Sequence, residues 1–312
     1  MPVREEEAEK FRRFTREVST KADLFAYDPN MTVWHYTNSD GFLGIVESCS
    51  IRATHVAAVN GSTETVYGTS LYRQALAKLK DSLLSDKVAQ EFLAGVLEDI
   101  KEGDGTLGHA ESKYFVACFT SLEDDTGQWL KYGLTNGKGY AIGFKARGLR
   151  MNKDTVVVKV NYDRELHLEA AKRAAELTLQ YYREGLVDDR AKDPDRWAKE
   201  FFEVWDQIIY WLAPAIKDER CSAENEFRMV HELQNADLPF VRFEQKEGLL
   251  GRYIDLKPYG WEGTASLLPI TKLIVGPGDH KGITKKSAEA LLAQMGYKDV
   301  PVATTNSTLK KP

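Results

Sequence analysis

Long apolar runs are missing from this chain. No segment reaches the roughly 18 to 20 consecutive apolar residues that a membrane span needs, so no membrane association is expected. Cysteine is scarce: Cys49, Cys118 and Cys221 are the only three in 312 residues. That odd number makes no disulfide framework and suits a reducing compartment. The cysteines also never stand at Cys-x-x-Cys spacing, and His35, His55, His109 and His231 are scattered, so the expectation is no metal. An excess of positive charge is missing too, with 42 Lys+Arg against 47 Asp+Glu and a formal net charge of −5. That excludes a wholesale polyanion binder while leaving room for a local basic groove. Away from the tail no basic run exceeds Lys285-Lys286. The sequence has no Walker loop, no Gly-x-Gly-x-x-Gly after a strand, no Gly-x-Ser-x-Gly elbow and no His-Glu-x-x-His. The N-terminal MPVREEEAEKFRRF is charged where a signal peptide turns apolar, so a cytoplasmic protein is expected.

What remains is the composition of a soluble globular protein, 43% hydrophobic and 29% charged, with an aromatic share of 11% that includes 6 Trp and 14 Tyr. Phe11, Phe14 and Val18 fall at helical spacing and predict an N-terminal helix over 4–20. TVWHYT (32–37) reads as a strand. Asn38-Ser39-Asp40 then supplies N-cap chemistry for a helix through Phe42, Leu43, Ile45 and Val46. NGSTETVYG (60–68) is rich in turn formers and reads as a loop, followed by two helices over 69–101 and a break at 102–109. YFVACF(T) at 114–120 has the pattern of a strand buried on both faces, and GYAIGF (139–144) and TVVVKV (155–160) are two more.

Residues 163–213 then lose β-branched runs and gain two helical repeats. One runs through Ala170, Ala174, Leu177 and Tyr181. The other runs through Trp197, Phe201, Val204, Ile208 and Leu212, with Asp193-Pro194 at its start. Strand character returns at 226–231, 241–243, 252–256 and 273–275, and a last helix starts near Thr284 and ends at Gly296. The fold class is α+β, a single domain over 1–312 with a mixed or antiparallel sheet core and a helical insertion at 163–218. The insertion's Trp197, Trp205 and Trp211 either pack internally or meet a protein partner.

The polar residues that stand out sit at strand ends. His35 and Tyr36 interrupt an apolar strand; the plain alternative is a satisfied core histidine beside a packing tyrosine. Glu224 and Glu226 flank Asn225 where a strand begins, which in a period-2 element puts two carboxylates on one face. The plain alternative is a solvated edge with Arg228 as the ion-pair partner of Glu226. Thr120, Ser121, Gln128, Trp129 and Tyr132 follow the strand YFVACF, where a Trp is either packing or a platform. Cys118, inside that strand, reads as an inert core thiol.

Together, His-Tyr-Thr at 35–37, the Ile-Val-Glu-Ser helix, Ser121, Trp129, GYAIGF, Glu-Asn-Glu-Phe-Arg and ITKLIVGPGD resemble a widespread bacterial family of unknown-function proteins over most of 32–278. More distantly they resemble the ADP-ribosyltransferase superfamily. His-Tyr-Thr is similar to its His-Gly-Thr strand, Asn225-Glu226-Phe227 to its Asn-Glu-Tyr strand, and Glu224-x-Glu226 to its Glu-x-Glu variant. The resemblance implies that NAD is the substrate, with His35, Tyr36, Thr37, Ser121, Trp129 and Tyr132 around it. It also implies catalytic roles for Glu226, His35 and Glu224. Proteins of this kind often serve as toxins or antiphage effectors. Tyr36 departs from the pattern by replacing a Gly, and Thr120, Ser121 and Tyr132 compete for the middle-strand position.

The implied chemistry suits these residue types. Breaking the nicotinamide–ribose bond builds positive charge on the sugar. A carboxylate at Glu226 would stabilise that charge in the transition state. His35 would hold a ribose hydroxyl, aromatic side chains would stack on nicotinamide, and Glu224 would act as base on the incoming nucleophile. The acceptor is a protein side chain or a nucleic-acid base. The competing expectations are a non-catalytic binding module on the same fold, and a hydrolase acting on NAD or on nucleic acid.

Overall fold

Among the described residues the β-branched and aromatic runs form ten strands of one sheet, and the apolar residues at helical spacing form helices. The computed structural model describes residues 27–58, 63–100, 113–133, 139–152, 154–187, 213–246, 249–258, 267–278, 280–307 and 309. The expected helix at 4–20, the expected helical repeat from Asp193 through Leu212 and the break at 102–109 lie outside these residues. The chain forms two compact units. One holds the described residues of His55–Tyr114 and Lys159–Ser222, and the other those of Tyr27–Thr54, Phe115–Val158 and Ala223–Pro312.

The second unit is the sheet. Its strands are β1 (Thr32–Asn38), β2 (Ile51–His55), β3 (Tyr114–Thr120), β4 (Gly139–Lys145), β5 (Thr155–Lys159), β6 (Glu226–Glu232), β7 (Arg242–Lys246), β8 (Leu249–Leu256), β9 (Ile270–Val275) and β10 (Val302–Thr304). They run in the order β10-β9-β4-β1-β3-β2-β8-β7, with β6 paired to β3 and β5. The β1–β4, β4–β9, β2–β8 and β7–β8 pairs are antiparallel. The β9–β10 pair is parallel, because the helix Lys281–Gln294 carries the chain back across between the two strands. The class is therefore α+β with a mixed sheet.

Alternation along β1 divides the sheet's apolar residues between two clusters. Val33 joins Phe42, Phe119, Phe144, Phe227 and Met229 on one side, and Trp34 and Tyr36 join Trp129, Ala141 and Ile274 on the other. Full burial of a side chain such as Val33 or Phe144 contributes roughly 1.5–3 kcal/mol. Helix α1 (Ser39–Ser48) starts where Asn38 accepts the Gly41 N–H, as its N-cap chemistry predicted, and ends at Cys49 in the left-handed region.

The first unit is helical: α2 (Thr63–Ser82), α3 (Lys87–Asp99) and α4 (Arg164–Val187). The loop expected through 60–68 ends early, since α2 is already helical at Thr63. Ser and Thr cap helix starts as readily as they make turns, so their presence did not separate the two outcomes. Asp86 caps α3 at the Ala89 N–H, and Arg73 donates to the carbonyls of Leu97 and Ile100 at its far end, 2.6 Å each. Leu71 of α2 packs against Ala170, Ala171 and Leu177 of α4, and Tyr72 hydrogen-bonds Thr178 at 2.8 Å. The described part of the helical insertion thus finds its packing partner in α2.

Candidate functional site

The pairing of β1 with β3 is confined to Trp34 opposite Thr120, whereas β1 stays paired to β4 along its whole length. Beyond that point the two strands part, and a pocket opens between them with about 410 Å³ of non-protein space, its open mouth included. It is lined by Trp34, His35 and Tyr36 from β1, Cys118, Phe119 and Thr120 from β3, Gln128 and Tyr132 from the segment after β3, and Glu224 and Glu226. Eight of the residues singled out in the sequence therefore meet here: His35, Tyr36, Cys118, Thr120, Gln128, Tyr132, Glu224 and Glu226. Thr37, Ser121 and Trp129 are not among the lining residues.

His35 is held by β1 so that its Nδ1 lies 2.9 Å from the Cys118 carbonyl and its ring leans on Phe119. A carbonyl oxygen only accepts, so Nδ1 carries the proton. Burial lowers the imidazole's pKa, outweighing the opposing effect of that hydrogen bond. A neutral ring protonated on Nδ1 leaves Nε2 an acceptor, and among the described residues Nε2 meets no hydrogen-bond partner. The half-buried His35 thus offers a lone pair to a ligand's O–H or N–H.

Glu226 begins β6 and is buried with Arg228, two residues on and on the same face. Arg228 Nε donates to Oε1 at 2.8 Å and Nη2 to Oε2 at 2.9 Å. The ion pair read from the sequence is present, but in the interior rather than at a solvated edge. Glu224 differs from expectation. It ends the helical turn Glu219–Glu224, and Asn225 has φ 43°, so no period-2 strand joins the two carboxylates. Asn is among the residues that tolerate that left-handed conformation. The turn is pinned from β3 and beyond: Thr120 Oγ1 donates to the Glu224 carbonyl at 2.7 Å and the Ser121 N–H to the Asn225 carbonyl at 3.1 Å. Ser121 thus serves the site through its backbone.

Lys131 donates to Glu224 Oε1 at 2.7 Å and its ammonium lies 5.0 Å from the centre of the Tyr132 ring. Burial alone would lower the Lys131 pKa; its hydrogen bonds to Glu224 and Tyr132 outweigh that and raise it. Burial raises the Tyr132 phenol's pKa, opposed by Lys131. Lys131 was not singled out in the sequence, because its partner lies 93 positions away. Cys118, expected in the core, is half-buried at the pocket wall.

Tyr36 and Trp129 act as supports. The Tyr36 hydroxyl donates to the Leu122 carbonyl and accepts the Asp125 N–H, at 2.9 and 2.8 Å, which fixes the loop after β3. Burial raises its pKa well above the usual phenol range. Trp129 is fully buried, edge-on to Tyr36, with its indole N–H on Asp124 at 2.8 Å. Its ring fits only because of glycine: a Cβ at Gly133 or Gly276 would lie 2.4 or 2.7 Å from it. Asp124 also accepts from the Thr305 hydroxyl and the Asn306 N–H, tying the C-terminal segment to the same loop.

Thr37 Oγ1 instead packs against the first turn of α1, 2.0 Å from where a Gly41 Cβ would stand. Among the described residues no three His, Cys, Asp or Glu side chains gather as metal ligands, and no helix is long and apolar enough to cross a membrane.

Comparison with known proteins finds one similarity. Residues 128–229, about a third of the chain, match a family model described as a protein of unknown function (DUF2971). The match agrees with the resemblance to unknown-function proteins over part of its extent. It begins at Gln128 and takes in Tyr132, Glu224 and Glu226, but not His35. No curated protein matches the chain, and no solved structure does.

Proposed function

We propose that this protein is an NAD-dependent ADP-ribosyltransferase that modifies a macromolecular acceptor, protein or nucleic acid. The observation that carries the reading is the meeting of His35 and Glu226, from strands far apart in sequence, in one pocket where the sheet splits. Had the two side chains lain in separate pockets, the reading would have failed. In this mechanism the Nε2 lone pair of His35 accepts a hydrogen bond from a ribose hydroxyl and fixes the sugar. Glu226 faces the carbon that becomes cationic as nicotinamide leaves, where its charge lowers the barrier. Tyr132 supplies an aromatic face for the nicotinamide ring. Glu224 takes the acceptor's proton once it parts from Lys131. A role as a toxin or antiphage effector would follow from the same chemistry acting on a host or phage acceptor.

The complete pairing of Glu226 by Arg228 favours a second reading, a non-catalytic module that binds a nucleotide without cleaving it. One assay separates them. The protein is incubated with labelled NAD and either cell lysate, DNA or RNA, beside Glu226→Gln and His35→Ala. Label on a macromolecule that disappears in both variants supports the transferase. Label only as free ADP-ribose points to a glycohydrolase, and no nicotinamide release under any acceptor condition overturns the enzyme.

A further inference from the structure

The sequence puts a basic residue two positions after Glu226, and the strand turns that spacing into a closed ion pair. The Arg228 side chain is 2% exposed and that of Glu226 is 6% exposed. Glu226 lines the pocket, while Arg228 is not among the lining residues. The fork takes both carboxylate oxygens at once, which fixes the plane of the carboxylate as well as its position.

Stability does not account for such a pair. Removing two ions from water offsets most of their attraction, and apolar replacements of similar volume are often neutral or better. A carboxylate buried at the same place without a cation would instead take up a proton and lose the charge that opposes a ribosyl cation. The other titratable groups at the pocket are His35, Cys118, Tyr36, Tyr132 and Glu224, the last carrying Lys131. Of these His35 is neutral, and Lys131 is committed to Glu224.

We infer that Arg228 is a positioning residue: it keeps Glu226 ionised and fixes its plane toward the pocket. The inference rests on the ADP-ribosyltransferase reading above. It also resolves the tension in that reading, since the pairing that neutralises Glu226 at rest is what keeps it a carboxylate inside the protein.

The test measures nicotinamide release from NAD against pH for wild type, Arg228→Met and Arg228→Lys. Infrared titration of the protonated carboxyl band runs alongside, with Glu226→Gln/Arg228→Met as the blank for Glu226. Arg228→Met is expected to lose about 100-fold in kcat with KM for NAD little changed. The acid limb of its profile and the Glu226 band should both move up by about one pH unit or more. Arg228→Lys, which keeps the charge but not the fork, should recover the limb and only part of kcat. If the Met variant does not fold, Arg228→Lys carries the test through kcat, and a Lys variant with the full wild-type kcat overturns the role. With an active wild type and a folded Met variant, a limb and band that do not move in Arg228→Met overturn the role of Arg228 alone. A wild type that releases no nicotinamide overturns the functional reading, and the positioning role falls with it.

Discussion

Two histidines, one in each unit of this molecule, are wired differently. His167, in the helical unit, uses both ring nitrogens: Nδ1 lies 3.0 Å from the Tyr67 hydroxyl and Nε2 2.9 Å from the Asn161 carbonyl. His35, in the sheet unit, uses Nδ1 on a carbonyl and turns Nε2 toward a pocket. Burial lowers the pKa of both, so both rings are neutral at pH 7. The difference lies in what completes the hydrogen bonding. Protein completes His167, and a ligand would complete His35. A satisfied core histidine, the plain alternative weighed for His35, is what His167 turns out to be.

The sharpest way to break the comparison is to remove each ring. His35→Ala should lower nicotinamide release by about 100-fold, since a group that orients the reacting sugar is worth several kcal/mol. Its melting temperature should fall little, because a half-buried ring with one hydrogen bond is lost. His167→Ala should do the reverse. It empties a fully buried site and leaves the Asn161 carbonyl with the Lys217 N–H alone, costing about 2–4 kcal/mol in urea unfolding. Release by the folded fraction should stay at the wild-type rate. Equal effects of both variants on activity and stability would erase the distinction drawn between the two histidines.

How far the sequence revealed this arrangement varied with the range of the interactions involved. Strands β1, β3, β4 and β5 were legible from their own β-branched and aromatic residues, and the Asn38 cap from its place before an apolar helix. His35 and Glu226 were legible as polar interruptions at strand ends. The left-handed Asn225 was not, since one backbone dihedral resets the alternation that placed Glu224 on a strand face. Nor was the burial of Trp129. It depends on Gly276, far along the chain, leaving room for the ring, and an aromatic residue in a polar segment has the same sequence signature whether it packs or binds. His35 and His167 differ for the same reason: the hydroxyl of Tyr67 comes from 100 positions away.

Acid should destabilise the protein through both histidines. Their folded pKa values lie below the unfolded value of about 6.5, so below that pH the unfolded chain binds protons that the folded chain does not. Stability is then fully present above pH 6.5 and lost as the pH falls toward the folded values, by at most about 1.4 kcal/mol per unit per histidine. Urea midpoints between pH 7.5 and 5 measure the slope. His167→Leu and His35→Leu should each flatten it, and a slope unchanged in both would mean that other groups set the acid response.

The smallest effect separates the two histidines most finely. Because Nε2–H of His167 must donate to the Asn161 carbonyl, Nδ1 accepts from Tyr67, and that donor favours the neutral ring. Tyr67→Phe should cost about 1 kcal/mol at pH 7 by leaving Nδ1 without a donor. It also raises the folded pKa of His167 toward its unfolded value. The gap to wild type should therefore narrow as the pH drops to 5, and a gap that stays constant would remove Tyr67 as the donor. At His35, on the proposed function, a ligand would take the place that Tyr67 holds for His167. A hydroxyl donating to Nε2 would hold that ring neutral, so NAD should bind more weakly as acid protonates His35, and His35→Gln should bind it with an affinity that no longer follows pH in that range.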